Sequence, residues 1–556
     1  MPPTGELSIE VGVPLLASPP DDETLGGFLV EAAARFGPRT ALVTEGGRWS
    51  YAELLDSAMT VARSLLARAV RPGTRVGVLM PNGAAWIAAT YGAALVGAVP
   101  VLLNVFSSVP EQEAALTLTE AKVLLMTGAV GGRSLLQGLV ARNPRLTGDA
   151  AALPDDRLPH LEQLFVEGTA EPIGRVQSWT DLLAGGAQVS DDDVTAARRS
   201  VDPGDDAVIM FTSGTSGIPK AVVHGHRAPR LQPSVWARMQ LIRTDERVFS
   251  TYPFCWSSGF ARSLGATLSM GACMVTVDHF DPAEALRLMQ RERVTMAILP
   301  GQGHLDLRLV EHPDFPKADL SSLERPSNPT LAKALGLGDG WHATGYGLTE
   351  TFTLVTACPA DGSDGEPPGS SGRTLPGWTV KVTDPDSGDL LPRGQTGQFK
   401  VKGPAVMKRY HGRPAGSGFD NDGFFVTPDL GYIDDAGFLF FVSRIDDVVR
   451  SAGINVSTSE LEREIAELDG VRLAVALGIP HPTLGQALVA CIVAERAGMR
   501  SEDVLEWLRP RIASYKLPRA VLFFDESELK YTVSQKVQRA DLRELAVERI
   551  KDLGLW

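Results

Sequence analysis

The stretch MFTSGTSGIPKAVVH, residues 210–224, sets glycines, serines and threonines between two apolar runs and ends on a proline, a lysine and a histidine. The run DAVIMF (206–211) leads directly into it and reads as a strand. A loop of this composition offers backbone N–H groups at close approach, and Lys220 adds a point charge, a combination suited to an oxygen-rich anion such as a polyphosphate. It is not a Walker A loop, which needs G-x-x-x-x-G-K-S/T, because here Lys220 follows Pro219 and precedes Ala221. Taken alone, the loop reads equally well as an ordinary polar turn in a strand-loop unit.

Outward from the loop, the chain is organised as α/β. Up to about residue 369, helical stretches alternate with short β-branched runs at 74–80, 121–126, 206–211, 272–277 and 294–300. Continuous apolar strands separated by helices imply parallel sheets buried on both faces. Segment 127–200 is polar and weakly periodic and reads as a surface excursion. From 369 to 441 glycine and proline punctuate short strands, as in WTVKVTDPDSGDLLPRGQTGQFKVKG, which suggests hairpins of a small β-subdomain. The tail holds an amphipathic helix at 457–468, strands at 472–480 and 487–495, a helix at 502–512 and a strand at 520–525, enough for a small α+β domain. At 556 residues the chain exceeds one ordinary core, so the expectation is a large domain over 1–445 and a small mobile one over 446–556.

A net charge of -14 and a pI near 5.2 argue against a nucleic-acid or anionic-membrane partner, either of which needs a basic face. Cys255, Cys273, Cys358 and Cys491 form no C-x-x-C pair, so neither a zinc knuckle nor a disulfide framework is indicated and a reduced, cytoplasmic setting fits. The N-terminal residues show no basic leader with an apolar core. GAAWIAATYGAALVGAVPVLL (83–103) is uncharged and about long enough to span a bilayer. It is rich in alanine and glycine and split by Pro100, so it reads as a buried helix turning into a strand, with no membrane span. HGH (224–226) lacks further ligands at metal spacing, and GLGDG (336–340) is not a dinucleotide fingerprint.

Three further stretches concentrate chemistry. ATGYGLTE (343–350) brings together Tyr346, able to stack on a base, Thr349, a hydroxyl for a phosphate oxygen, and Glu350, a carboxylate for Mg²⁺. Downstream, Asp429 is an acceptor for ribose hydroxyls and Arg444 a fixed cation near the domain junction. YTVSQKVQR (531–539) carries Lys536 in a loop after a strand.

In this order these motifs make the chain resemble the adenylate-forming superfamily of acyl-CoA synthetases, peptide-synthetase adenylation domains and luciferases, from RWSYAEL (48–54) to YTVSQKVQR. The resemblance implies that Thr212, Ser213, Gly214, Thr215, Ser216, Gly217 and Lys220 cover the β- and γ-phosphates of ATP. It implies adenine contact by Tyr346 beside Gly347, phosphate contact by Thr349, Mg²⁺ at Glu350 and ribose binding by Asp429 and Arg444. Asp446 is then the hinge, Lys536 the catalytic lysine acting with Thr349 and Glu350, and Gly453 in SAGIN part of the acceptor tunnel. Trp256 and Gly345 fall to the pocket of a small-molecule acid, with coenzyme A as the expected co-substrate. A carboxylate is already a nucleophile at neutral pH, so such a site supplies alignment and charge neutralisation rather than a strong base.

The sequence departs from the superfamily pattern at several points. Ser216 replaces a commoner threonine, Ala221 a glycine, Lys530 a proline and Gln535 a glycine beside the lysine. Trp256 stands where a gating histidine is often found, and DLSSLERPSNPTLAKALGLGDGWHATGYGLTE lacks the Gly-Gly-Ala or Ser-Gly-Ala turn usual before the tyrosine. The first functional reading is an ATP-dependent acid:CoA ligase. The alternatives within the superfamily are an ATP-dependent diazotase activating nitrite for an aryl amine, or a ligase loading a carrier protein or forming an amide.

Overall fold

Alternation inside single strands explains the layering of the large domain. In Arg75–Leu79, Val76 and Val78 join one cluster while Leu79 joins another, and in Val123–Thr127 Val123 and Leu125 likewise separate from Leu124 and Met126. Such period-two division marks a sheet buried on both faces. The computed structural model describes residues 6–13, 24–148, 156–168, 174–212, 220–299, 305–445, 448–451, 454–481, 485–495, 498–512, 516–531 and 536–555.

Two sheets share a central cluster. The eight-stranded sheet runs Val176–Ser178, Gln163–Glu167, Val123–Thr127, Arg75–Leu79, Val99–Leu102, Asp206–Thr212, Lys220–Gly225 and Arg409–Tyr410. Its members are parallel as far as Asp206–Thr212, and the last two pair antiparallel. The six-stranded sheet runs Arg325–Pro326, Met296–Ile298, Arg247–Ser250, Cys273–Val275, Thr40–Thr44 and Gly47–Ser50, parallel except at that last strand. Val248, Met274 and Ile298 turn to the same cluster as Val76 and Val208, while Phe249, Val275 and Ala297 turn outward to a third.

Helix Ala84–Leu95 fills the space between, with Trp86 through Leu95 all buried. This is the helix-then-strand reading of 83–103, and among the described residues no helix is long and apolar enough to cross a membrane. It packs on helix Tyr51–Ala67, which starts where Ser50 and Glu53 form a reciprocal capping box. Closest approach falls at Gly92, where a Cβ would lie 2.8 Å from the Ala58 carbonyl oxygen and from Val61 Cβ.

Segment 127–200 is not a surface excursion. It supplies the last two strands on one side of the eight-stranded sheet, Gln163–Glu167 and the edge strand Val176–Ser178, and helices Trp179–Ala184 and Asp191–Arg199 that pack against Tyr51–Ala67. Its polarity belongs to the loops and outer helix faces, which masks two short strands in any wide window. The β-region is an antiparallel sheet of Thr379–Thr383, Gly397–Lys402, Phe425–Ile433 and Leu439–Arg444, completed by Ile9–Val11 from the opposite end of the chain.

In the small C-terminal domain, Gly485–Ala494 runs antiparallel to Val471–His481 and parallel to Ala520–Phe523. Val489, Cys491 and Val493 face helix Arg539–Asp552 through Leu542, Ala546 and Ile550. Leu488, Ala490 and Ile492 face Leu461, Ile465, Val504 and Leu508 of helices Thr458–Ala466 and Ser501–Leu508. The final helix lies beyond the elements read from sequence.

Strand Lys220–Gly225 is held by two buried histidines at its end. His226 Nδ1 accepts the Leu25 N–H at 2.9 Å, fixing the start of helix Leu25–Phe36, and His224 Nε2 donates to the Thr349 carbonyl at 2.8 Å. Burial lowers both pKa values from 6.5 to about 4. The unfolded chain therefore takes up protons from about pH 6.5 downward while the folded chain does not until about pH 4, so this stability is present above pH 6.5 and lost as pH falls through the window. The expected slope is about 1.4 kcal/mol per pH unit for each histidine. Urea unfolding at pH 7.0 and 5.0 should show it, and His224→Gln, which keeps a donor for Thr349, should remove about half the difference. Gly92→Val should lower stability at pH 7 by about 1–3 kcal/mol through overpacking, read in the same assay.

Candidate active site

The hairpin of Thr344–Leu348 and Thr353–Cys358 carries the sequence-predicted aromatic, hydroxyl and carboxylate. Its register shifts between Tyr346 and Gly347, a bulge that re-aims the strand just before the turn. Gly347 admits no side chain, because a Cβ there would stand 1.6 Å from the Thr353 carbonyl oxygen, and at Gly345 it would stand 2.6 Å from that of Thr356.

Thr349–Thr351 forms a single 3₁₀ turn, after which Phe352 adopts φ 55° and Thr353 φ 150°. A left-handed aromatic residue costs about 1–3 kcal/mol and persists only where packing over-determines it. Here the Phe352 ring, fully buried, meets His224 edge-on at 4.9 Å and Phe260 at 5.5 Å. From helix Arg227–Met239, Gln232 Nε2 donates to the Leu354 carbonyl at 2.7 Å and Trp236 Nε1 to Thr353 Oγ1 at 3.0 Å.

Glu350 is buried and gripped twice by one neighbouring segment. Met407 N donates to its carbonyl at 2.7 Å, and Tyr410 Oη donates to its Oε1 at 2.7 Å. Burial and the Glu350 charge push the Tyr410 phenol well above its ordinary pKa, so it remains a donor. Oε2 takes no hydrogen bond among the described residues. Lys220 Nζ lies 5.5 Å from the centre of the Tyr410 ring, so one tyrosine links Glu350 to the strand that leaves the glycine-rich loop. Thr212 and Lys220, the two ends of that loop, stand directly opposite each other in antiparallel register.

A second cluster lies on the β-sheet. Tyr346 Oη donates to Asp429 Oδ2 at 2.7 Å, and Arg444 Nε approaches Asp429 Oδ1 at 3.3 Å from the facing position of the next strand. Asp429 is almost wholly buried, and burial raises its pKa despite Tyr346 and Arg444. Its Oδ1 has no hydrogen-bond partner among the described residues. The Tyr346 ring is itself buried, edge-on to Phe399 at 5.2 Å and near-parallel to the exposed Phe441 at 6.5 Å.

Trp256 is half-buried against the central cluster, its N–H bonded to the Pro253 carbonyl at 3.0 Å. The segment rewritten before Tyr346 passes from strand Arg325–Pro326 to helix Pro329–Ala334 with only Ser327 and Asn328 between, and Asn328 Oδ1 caps the helix. Lys536 is exposed in the small domain, next to Val537, which bridges to Tyr531. Ser213, Gly214, Thr215, Ser216 and Gly217, the hinge position Asp446 and the tunnel position Gly453 lie outside the described residues.

Three residues at the site went unmarked in the sequence reading. Tyr410 sits in VMKRYHGRP, where no spacing rule isolates it, and Phe441 is hidden in an apolar run. His224 is the last residue of the opening motif and has no metal-ligand spacing to mark it; it acts through a hydrogen bond to the Thr349 carbonyl and an edge-on contact with Phe352.

Known proteins share this architecture. Residues 29–411 match the AMP-binding enzyme family, and residues 460–536 match the AMP-binding enzyme C-terminal domain. A 7a-methyl-1,5-dioxo-octahydro-1H-inden-4-yl propanoyl:CoA ligase from Rhodococcus jostii (strain RHA1) is 30% identical over 532 residues, covering 94% of this chain and 98% of its own. A feruloyl-CoA synthase from Amycolatopsis sp is 31% identical over 541 residues, covering 94% and 99%. The ATP-bound crystal structure of MatB from Rhodopseudomonas palustris superposes with a TM-score of 0.75 at 28% identity, covering 94% of this chain and 98% of that one. The chain belongs to the AMP-binding enzyme family and is an AMP-forming, acyl-CoA synthetase-like enzyme.

Proposed function

We propose that this enzyme joins an organic acid to coenzyme A in two steps at one site. In the first, a carboxylate oxygen of the acid attacks the α-phosphorus of ATP, the bond to the β-phosphate oxygen breaks and pyrophosphate leaves. In the second, the thiol sulfur of coenzyme A attacks the acyl carbon, AMP departs with the bonding pair and the thiol proton is released. The Rhodococcus relative is a propanoyl:CoA ligase and the Amycolatopsis relative a feruloyl-CoA synthase, each matched along nearly its whole length, which supports this acceptor.

The observation that carries the reading is a pair of buried carboxylates, each with one oxygen committed to a tyrosine. Asp429 Oδ1, buried beside Arg444 without a hydrogen-bond partner among the described residues, suits a ribose hydroxyl. Glu350 offers Oε2 while Tyr410 holds Oε1, next to Thr349 and near Lys220. A single carboxylate completed by substrate phosphates is the usual protein share of a Mg²⁺ site, so the donor set fits that ion at Glu350. When bound there, Mg²⁺ neutralises charge on the phosphates. Lys536, delivered by the small domain turning near Asp446, offsets charge building at the α-phosphate during the first step.

The direct strand-to-helix turn at Ser327 and Asn328 favours one second reading, a superfamily member without coenzyme A that activates nitrite or forms an amide. A pyrophosphate-release screen over carboxylic acids and nitrite, with and without coenzyme A, separates the two. Thioester formation with a carboxylic acid is expected. CoA-independent turnover to a stable non-thioester product would sink the first reading.

Lys536→Ala should slow adenylate formation about 10²–10³-fold, measured by pyrophosphate release. Its thioester formation from synthetic acyl-adenylate should stay within about threefold of wild type. Tyr410→Phe removes a hydrogen bond to a charged group and should raise the Mg²⁺ concentration for half-maximal ATP binding by roughly tenfold, read by calorimetry.

A further inference from the structure

Arg262 is a guanidinium that no carboxylate answers among the described residues. It sits on the π-helical turn Gly259–Gly265, which follows Trp256 directly through the Phe260 N–H to Trp256 carbonyl bond at 2.8 Å. Turns of this kind are energetically poor and concentrate at functional sites. This one is locked in place, since a Cβ on Gly259 would fall 1.8 Å from the Pro253 carbonyl oxygen.

The Arg262 guanidinium carbon lies 4.9 Å from the centre of the Trp236 ring and 5.6 Å from that of Tyr252. Among the described residues its side chain makes one long hydrogen bond, from Nη1 to Tyr252 Oη at 3.4 Å, and its buried Nε has no partner. No acidic side chain pairs with it among the described residues. Arg325, by contrast, also stacks on a tryptophan, Trp341, yet is paired with the buried Glu246. Two aromatic faces offset only part of the cost of partly desolvating a cation.

Its location gives the vacant pairing a meaning. Trp236 ties the face on which Arg262 stacks to Thr353, three residues beyond Glu350. Arg262 therefore lies one indole away from the turn assigned to the phosphates, and on the same loop-helix unit as Trp256, assigned to the acid pocket. We propose that Arg262 binds a second carboxylate on the substrate, so that the acid activated is an aromatic dicarboxylic acid. One carboxylate is presented to ATP near Thr349, the ring packs among Trp236, Tyr252 and Trp256, and the other carboxylate takes the fork of Arg262 donors. This rests on the ligase reading above and names its substrate class.

The test compares matched acids, isophthalate and terephthalate against benzoate, by ATP-dependent pyrophosphate release in the full-length enzyme, its Arg262→Met variant and its Arg262→Lys variant. In the wild type, kcat/KM for at least one diacid should exceed that for benzoate by at least tenfold. Arg262→Met should lower the diacid-to-monoacid ratio on the order of 10²-fold, chiefly through the diacid KM. Arg262→Lys should recover part of that ratio, since it restores charge without the planar fork. A general packing defect lowers activity on both acids and leaves the ratio unchanged. A wild-type preference for benzoate, or equal losses on both acids in Arg262→Met, overturns this assignment and leaves the ligase reading standing. No pyrophosphate release with any of these three acids overturns this inference, and the wider screen over carboxylic acids then decides the ligase reading.

Discussion

The left-handed turn after Glu350 is the constraint on which the rest of the site depends. Phe352 and Thr353 take backbone conformations that neither residue favours, and no local propensity holds them there. What holds them is convergence: His224 bonds to the Thr349 carbonyl, Met407 to that of Glu350, Gln232 to that of Leu354, and Trp236 to the Thr353 hydroxyl. These donors come from a sheet strand, a segment beside the β-region and a long helix. The site is rigid because three separately folded parts of the chain meet on one turn.

The same convergence explains why the buried polar groups are tolerated. A buried acceptor without a donor costs about 1–3 kcal/mol, so each carbonyl of the turn gains from the neighbour that answers it. Glu350 and Asp429 each have one oxygen answered by a tyrosine and one left without a hydrogen bond among the described residues. That half-satisfied state suits a ligand-binding carboxylate, whose remaining lone pairs are completed by what it binds. Arg262, with its buried Nε unpartnered among the described residues, presents the complementary case of a donor without an acceptor.

Much of the architecture was legible from local pattern. The apolar runs at 74–80, 121–126, 206–211, 272–277 and 294–300 all appear as strands of parallel sheets, because strands buried on both faces leave an uninterrupted signal. Segment 127–200 conceals its strands because they are short, one of them only Val-Gln-Ser, and solvent-facing polarity of the surrounding helices and loops outweighs the apolar core of Gln163–Glu167. Ile9–Val11 carries no mark of its role, since joining a sheet built from residues beyond 378 is a long-range event.

The sequence by itself determined that the chain is α/β, that a polar, glycine-containing stretch follows the buried strand read at 206–211, and that Tyr346, Thr349, Glu350, Asp429 and Arg444 carry side chains suited to nucleotide chemistry. These follow from residue type and local spacing, which a chain carries before it folds. Only the tertiary structure decided that Tyr346 answers Asp429, that Tyr410 answers Glu350 and that Arg262 lies against the rings of Trp236 and Tyr252. Those pairings join residues between 10 and 83 positions apart, and a hydrogen bond over such a separation exists only once packing has brought its two ends together.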